Sequence, residues 1–183
     1  MDTTTLKATG MDFLRKKMRK SGNGAEQALI AELDAEDADL YANALAVSWV
    51  DVERAARVYE AAARLLYPGS VDPLVDLGRE MARADLTGIY KILLRVATIP
   101  MVVERTARLW STYHRKGSAR IVREGDVKRA DLIIDGYPDL PEAIRINICG
   151  YVQGVLDLTG SKNPQVRHVG GSPEAWRWHV TWD

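Results

Sequence analysis

The amino-acid sequence predicts an α+β domain in which several N-terminal helices precede a ββαββ unit. Apolar residues recur at helical spacing through the first two-thirds of the chain, most clearly from Asp51 to Leu66. After Gly117 the period changes to two, in strands on either side of Gly125-Asp126 and again in the C-terminal hairpin. A long apolar helix separates the two hairpins. We therefore expect a four-stranded antiparallel sheet covered by helices.

The predicted helices follow from apolar spacing and from Gly and Pro at their ends. Short segments open the chain, namely Met11–Arg19, Ala25–Leu33 and a third element over Leu40–Val50. Longer helices are predicted over 51–66, from Pro73, over Thr87–Ala97, over Pro100–Arg115 and over Leu140–Gly160. The strands are predicted over Ala119–Glu124, over Arg129–Asp135 and in a hairpin over Val166–Trp182. In Arg129–Asp135 the alternation places Ala130, Leu132 and Ile134 on one face.

Composition indicates one soluble domain spanning residues 1–183. The hydrophobic content of 46% and charged content of 27% are ordinary for a globular protein. The formal net charge is zero, which argues against nucleic acid or an anionic membrane as a partner. The single cysteine and the lack of an apolar signal segment predict a cytoplasmic protein. No apolar run is long enough to span a bilayer.

Tryptophans dominate the last predicted strand. Trp176, Trp178 and Trp182 share one face at a period of two, and this face needs a cover. The helix before it, a second chain or an apolar ligand could supply that cover. Aromatic stripes usually fill a core, and the alternative is a pocket for a flat apolar ligand with a tyrosine or His114 as its polar handle. The pocket candidates are Trp110, Tyr113, Tyr151, Trp176 and Trp178.

Two glycines in the last helix predict a close helix contact. Gly150 and Gly154 would let one helix face meet a neighbouring backbone, either in the domain's own sheet or in a two-fold partner. Trp176 is the third candidate for such an interface. We expect a homodimer.

Catalytic and metal sites are not predicted. No serine lies in a nucleophile elbow, and the acidic pairs lie in polar connections. His114, His168, His179 and Cys149 lack the paired spacing of a metal site, and Cys149 fits a small core residue. The basic run Arg15–Lys20 fits a solvated helix face. We expect no cofactor and no bound metal.

The C-terminal third carries a family resemblance. Gly150-Tyr-Val-Gln-Gly154, then Leu156-Asp-Leu-Thr-Gly160, and a hairpin strand ending in Trp182 resemble the 4-vinyl reductase-like ligand-binding superfamily. That superfamily includes sensor domains of aromatic-responsive activators and relatives of haem-nitric-oxide-associated domains, and TRAPP subunits share its fold. Many members hold zinc through one helix cysteine and two hairpin cysteines. His168 and Trp176 stand at the hairpin positions here, so the resemblance does not extend to that site.

The resemblance and the lack of catalytic motifs predict a non-catalytic sensory or adaptor domain. It would bind a small apolar ligand, a protein signalling partner or both, and would signal through assembly. The alternative is an enzyme or haem-linked protein that acts on a vinyl-bearing tetrapyrrole.

Overall fold

The computed structural model describes residues 4–86, 99–123, 128–159, 162–172 and 174–183. It is an α+β fold, as predicted. The N-terminal elements are β1 (Thr5–Lys7), α1 (Thr9–Ser21), α2 (Ala25–Glu32), α3 (Ala35–Asn43), β2 (Trp49–Asp51), α4 (Val52–Leu66) and α5 (Pro73–Asp85). The C-terminal elements are α6 (Ile99–Tyr113), β3 (Ser118–Val122), β4 (Arg129–Asp135), α7 (Glu142–Leu156), β5 (Gln165–Ser172) and β6 (Ala175–Thr181).

Helices α3 and α4 begin at aspartate caps. The Asp34 side chain accepts a hydrogen bond from the Asp37 backbone N–H at 2.8 Å, and Asp51 accepts from the Arg54 N–H at 2.9 Å. Each bond satisfies a backbone donor that the first helical turn leaves open. The spacing from Val52 onward then buries one side of α4, which packs against α1, α2, α3, α5 and α7.

The predicted element over Leu40–Val50 is wrong. Helix α3 ends at Asn43, and residues 49–51 form β2, which pairs antiparallel with β1. An aromatic residue followed by a β-branched one, Trp49-Val50, favours the extended conformation over a helix. The predicted helix over Thr87–Ala97 and the turn at Gly125-Asp126 lie outside the described residues.

The four-stranded sheet has the order β3-β4-β6-β5, with every neighbouring pair antiparallel. The register places Trp178 between Leu132 on β4 and His168 on β5. The pairing of β5 with β6 shifts between His168 and Gly171, where Gly170 and Gly171 have positive φ. The predicted antiparallel ββαββ arrangement is therefore confirmed.

The two faces of the sheet have different surroundings. The inner face packs beneath α6 and α7 and buries Leu132, Ile134, Trp178 and Val180. The opposite face is named the outer face, and it carries the alternate residues of all four strands. They are Ser118, Arg120, Val122, Arg129, Asp131, Ile133, Asp135, Gln165, Arg167, Ala175, Arg177, His179 and Thr181.

Helices α5 and α7 pack with their backbones in contact. A Cβ at Gly150 would overlap the carbonyl oxygen of Val75, and a Cβ at Gly154 would lie 2.6 Å from that of Arg79. On the other helix, a Cβ at Gly78 would lie 2.8 Å from the backbone nitrogen of Tyr151. The close approach predicted for Gly150 and Gly154 is therefore made to α5 of the same chain.

Helix α7 is shorter than predicted. It ends at Leu156, and the Thr159 hydroxyl donates to the Leu156 carbonyl at 2.7 Å in the turn that follows. Gly160, the predicted end, lies outside the described residues. Among the helices of the described ranges, none is both long and apolar enough to cross a bilayer.

Candidate functional site

The tryptophans of the predicted pocket are held by hydrogen bonds to backbone carbonyls. Trp178 is fully buried, and its Nε1 donates to the Arg145 carbonyl at 3.1 Å. Trp176 is partly buried and donates to the Tyr137 carbonyl at 2.8 Å. Trp110 donates to the Lys116 carbonyl at 3.0 Å. Each indole N–H therefore has the partner that a buried Trp requires.

The predicted tyrosines lie elsewhere. The Tyr151 hydroxyl donates to the Asp85 carboxylate at 3.0 Å, at the end of α5. Burial raises the pKa of Tyr151, and the nearby Asp85 charge adds to that effect. Tyr113 is partly buried in the last turn of α6. The five candidates are thus distributed over three places, which are the end of α6, the end of α5 and the inner face of the sheet.

Tyr137 joins two of these places and was missed in the sequence. It follows β4 and is fully buried, with its ring centroid 6.3 Å from that of Trp110 in an edge-on arrangement. Its carbonyl accepts the Trp176 hydrogen bond. Its own hydroxyl is buried and finds no hydrogen-bond partner among the described residues. The sequence feature that could have indicated Tyr137 is an aromatic residue in the turn Gly136-Tyr137-Pro138, between the sheet and α7.

His114 completes this cluster, which is named the junction and comprises Trp110, His114, Tyr137 and Trp176. The His114 ring stacks on Trp110 with centroids 3.8 Å apart and planes 5° apart. It meets the Tyr137 ring edge-on at 6.1 Å. Its Nδ1 is buried with no partner in the described ranges, and burial lowers the pKa of His114 to about 3. The ring is therefore neutral at physiological pH, and the junction holds two unsatisfied polar atoms.

His168 and Cys149 lie under the other end of the sheet. The His168 ring centroid is 5.1 Å from that of Trp178, and its Nε2 is buried without a partner. Burial lowers the pKa of His168, and the Arg145 charge acts in the same direction. The Cys149 thiol donates to the Val166 carbonyl at 3.3 Å, and burial raises its pKa. Within the described ranges, no three potential metal ligands come together.

The outer face carries a network of charges around Asp131. His179 Nδ1 lies 2.6 Å from an Asp131 oxygen, while Arg129 and Arg177 each approach that carboxylate at 3.5 Å. Arg129 also lies 3.3 Å from His179 Nε2. Both ring nitrogens of His179 thus face charged groups and not a nucleophile. His179 and Asp131 therefore do not form a catalytic dyad. The alternation of the two strands places Asp131 and His179 on the sheet face opposite Trp176 and Trp178.

Two surface depressions have largely polar linings. One, of about 340 Å³, lies between α4 and the start of α7. Its walls carry Glu53, Arg57, Glu60, Asp139, Glu142 and Arg145. The other, of about 280 Å³, surrounds the loop between α1 and α2. Ligand pockets are mostly apolar, and none of the five predicted pocket residues lines either depression.

Comparison with solved structures finds H-NOX (haem-nitric oxide/oxygen binding) domains. An unliganded Fe(II) H-NOX variant from K. algicida has a TM-score of 0.65 at 10% identity, over 97% of this chain and 96% of that chain. A variant from T. Tengcongensis has a TM-score of 0.62 at 9% identity, over 97% of each chain. An oxygen-binding domain related to soluble guanylate cyclases has 0.61 at 9%, over 96% and 92%. No protein-family model and no curated protein matches the chain.

These matches establish a shared fold over nearly the whole chain. They agree with the haem-nitric-oxide part of the sequence resemblance. The 4-vinyl reductase-like and TRAPP parts of that resemblance stay predictions. At about a tenth identity, ligands and partners do not transfer with the fold.

The histidines and the cysteine of this chain do not fit a haem. A haem iron takes an axial ligand from His, Cys, Met or Tyr and lies in an enclosed slot. The chain has three histidines and one cysteine, and neither depression is lined by any of them. His114 is stacked on Trp110, His179 is bound to Asp131, and His168 is packed against Trp178 at 5.1 Å between ring centroids. Cys149 is a protonated thiol bound to a carbonyl.

The other possible axial ligands fit no better. Burial raises the pKa of Tyr41, Tyr59 and Tyr137, which keeps these phenols protonated. Met11 and Met18 are packed in the core without exposure. None of these five described side chains is therefore an ionised phenolate or an exposed thioether.

Proposed function

We propose that this chain is a haem-independent sensory or adaptor module that reads a small ligand at the junction. The supporting observation is the pair of buried polar atoms without partners, His114 Nδ1 and Tyr137 Oη. Leaving a buried polar atom unpaired costs about 1–3 kcal/mol. A ligand that supplies a hydrogen bond to either atom recovers that energy on binding. Without such a ligand, the two unpaired atoms lower the free energy of unfolding of the domain.

The walls of the junction define the ligand class. Trp110 and Trp176 are two of the pocket residues proposed from the sequence; His114 stacks on the Trp110 ring, and the Arg145 guanidinium lies 3.9 Å from the Trp176 ring centroid. The pKa of about 3 keeps His114 uncharged, and the Tyr137 phenol is a donor. Neutral partners favour an uncharged ligand. We therefore propose a flat, mainly apolar molecule with one hydrogen-bonding group, with Tyr113, Tyr151 and Trp178 as further candidates around it.

The fold supports a sensory role, and the side chains argue against haem as the ligand. The H-NOX domains with this fold include an oxygen complex and Fe(II) forms. This chain shares their fold, and its described histidines and cysteine are engaged elsewhere. Output through a protein partner or a homodimer remains part of the proposal.

Native mass spectrometry of the purified chain tests the proposal directly. We expect a retained or added small molecule, with indole as the added probe, and we expect its binding to be lost in Tyr137→Phe. Tyr41→Phe is the matched control, because it removes a buried hydroxyl that is bonded to Glu26 at 3.2 Å, away from the junction. Protein that neither retains a molecule nor binds indole would contradict ligand sensing.

Absorption spectroscopy tests the haem alternative. We expect no Soret band in the purified protein, and no stoichiometric binding on titration with hemin. A Soret band that is lost in His114→Phe or His168→Phe would overturn haem independence and restore a haem-linked function.

A further inference from the structure

The outer face of the sheet gathers one arginine from each strand. Arg120 lies on β3, Arg129 on β4, Arg177 on β6 and Arg167 on β5. The registers place Arg120 and Arg177 on either side of Ile133, and Arg167 beside His179. Neighbouring strands are about 4.8 Å apart, so these side chains share one surface.

This surface has an excess of positive charge. Four arginines face two aspartates, Asp131 and Asp135, which leaves two uncompensated positive charges when His179 is neutral. Asp131 is shared by Arg129, Arg177 and His179, while Asp135 pairs with Arg120. Within the described part of the chain Arg167 makes no ion pair. Since the whole chain has zero net charge, the excess is local to this face.

The arginine head groups are held over an apolar floor. Ile133 points outward yet is only 2% exposed, because the flanking Arg120 and Arg177 side chains cover it. Their side chains remain 54% and 49% exposed, so the guanidinium groups still reach solvent. Arginine stems that pack on apolar surface leave a planar fork available for carboxylates.

Carboxylates fit this face better than nucleic acid or lipid. The outward positions of the described strands hold no Phe, Tyr or Trp on which bases could stack. Among the described residues of its strands, Val169 is the one large apolar side chain that is exposed, which is too little to enter a membrane interface. An acidic peptide can place its carboxylates between the aspartates, beside the arginine forks.

We infer that the outer face is a docking surface for an acidic segment of a protein partner. Carboxylates of that segment pair with Arg167, Arg177 and Arg120, while Asp131 holds Arg177 and Asp135 holds Arg120. This surface lies on the opposite side of the sheet from the junction, so it provides an output independent of the ligand proposed above.

The test uses the full chain and a fluorescein-labelled decaglutamate peptide, followed by fluorescence anisotropy at low salt. We expect saturable binding, with Kd raised about tenfold or more in Arg167→Glu/Arg177→Glu. Arg105→Glu/Arg108→Glu is the matched control, because both residues are exposed on α6 and the net charge changes equally. Arg167→Glu alone should weaken binding without unfolding, since it breaks no ion pair.

Three results would overturn the inference. They are the absence of saturable peptide binding, equal weakening in the α6 control, and tighter binding of oligothymidylate or phosphatidylserine vesicles than of the peptide. Circular dichroism of each variant establishes that it is folded before binding is compared.

Discussion

Gly150 lies against the backbone of Val75, so that a Cβ at Gly150 would be 2.7 Å from the Val75 carbonyl carbon. The two residues lie on α7 and α5, and Gly78 and Gly154 make equally close approaches nearby. Contacts of this kind leave no space for side chains between the helices. Helices α5 and α7 are therefore closely packed, and this contact connects the helical half of the fold to the sheet.

Replacement of Gly150 by alanine should destabilise the fold. The new methyl group meets backbone atoms that cannot rotate away, so we expect the free energy of unfolding to fall by about 2–3 kcal/mol. Urea unfolding followed by circular dichroism measures this change. Gly69→Ala is the control, because a Cβ there has no atom within 4 Å. Equal losses in the two variants would show that α5 and α7 are not closely packed.

The sequence could predict the close approach at Gly150 but not the helix that makes it. Small residues on one helix face allow contact without specifying its partner, and α5 lies about seventy residues earlier in the chain. The period of two predicted β4 and β6 because alternation is local. The short strands β1 and β2 were missed because three residues are too few to show a period.

Trp178 should contribute more to stability than the other tryptophans of the C-terminal hairpin. It is fully buried and hydrogen-bonded to Arg145, whereas Trp176 and Trp182 are partly exposed. We expect Trp178→Ala to lower the free energy of unfolding by about 3–5 kcal/mol. Trp182→Ala should cost clearly less, since it lies beyond the end of β6. An equal and severe loss of unfolding free energy in the alanine variants of Trp176, Trp178 and Trp182 would contradict this prediction. It would show that all three side chains belong to the core.

The candidate sites were less accessible to sequence reasoning than the fold. Trp110 and Trp176 were predicted from aromatic content, but Tyr137 between them was not, because only tertiary packing brings a loop residue to both. Arg120 and Arg177 are far apart in sequence and meet only through the register of three strands. A face assembled across strands has no local motif.

We predict that the purified protein contains no stoichiometric zinc. The hairpin positions that carry cysteines in the resembling superfamily hold His168 and Trp176, and the Cys149 thiol is bound to the Val166 carbonyl. A thiol whose pKa is raised by burial is a poor source of thiolate ligand. Elemental analysis by mass spectrometry measures the zinc content. One zinc per chain, lost in Cys149→Ser, would contradict this prediction.

Acid should destabilise the protein partly through His114. Its pKa is about 3 in the folded chain and ordinarily 6.5, so between these values the unfolded chain binds a proton that the folded chain does not. The His114 contribution is therefore fully present above about pH 6.5 and is lost as pH falls towards 3. Through this residue the free energy of unfolding should fall by at most about 1.4 kcal/mol per pH unit. The actual fall should be smaller, because His114 is partly exposed to solvent.

Urea unfolding of the native chain and of His114→Phe, repeated at several pH values, isolates this contribution. Phenylalanine preserves the stacking on Trp110 and removes the titrating ring. The free energy of unfolding of the variant should therefore fall less steeply between about pH 6.5 and pH 5. His168→Phe is the companion variant, with a smaller effect expected because the His168 environment also contains the Glu142 charge, which raises its pKa. Parallel pH profiles for the native chain and His114→Phe would mean that the junction is open to water, which would satisfy His114 Nδ1 without any ligand.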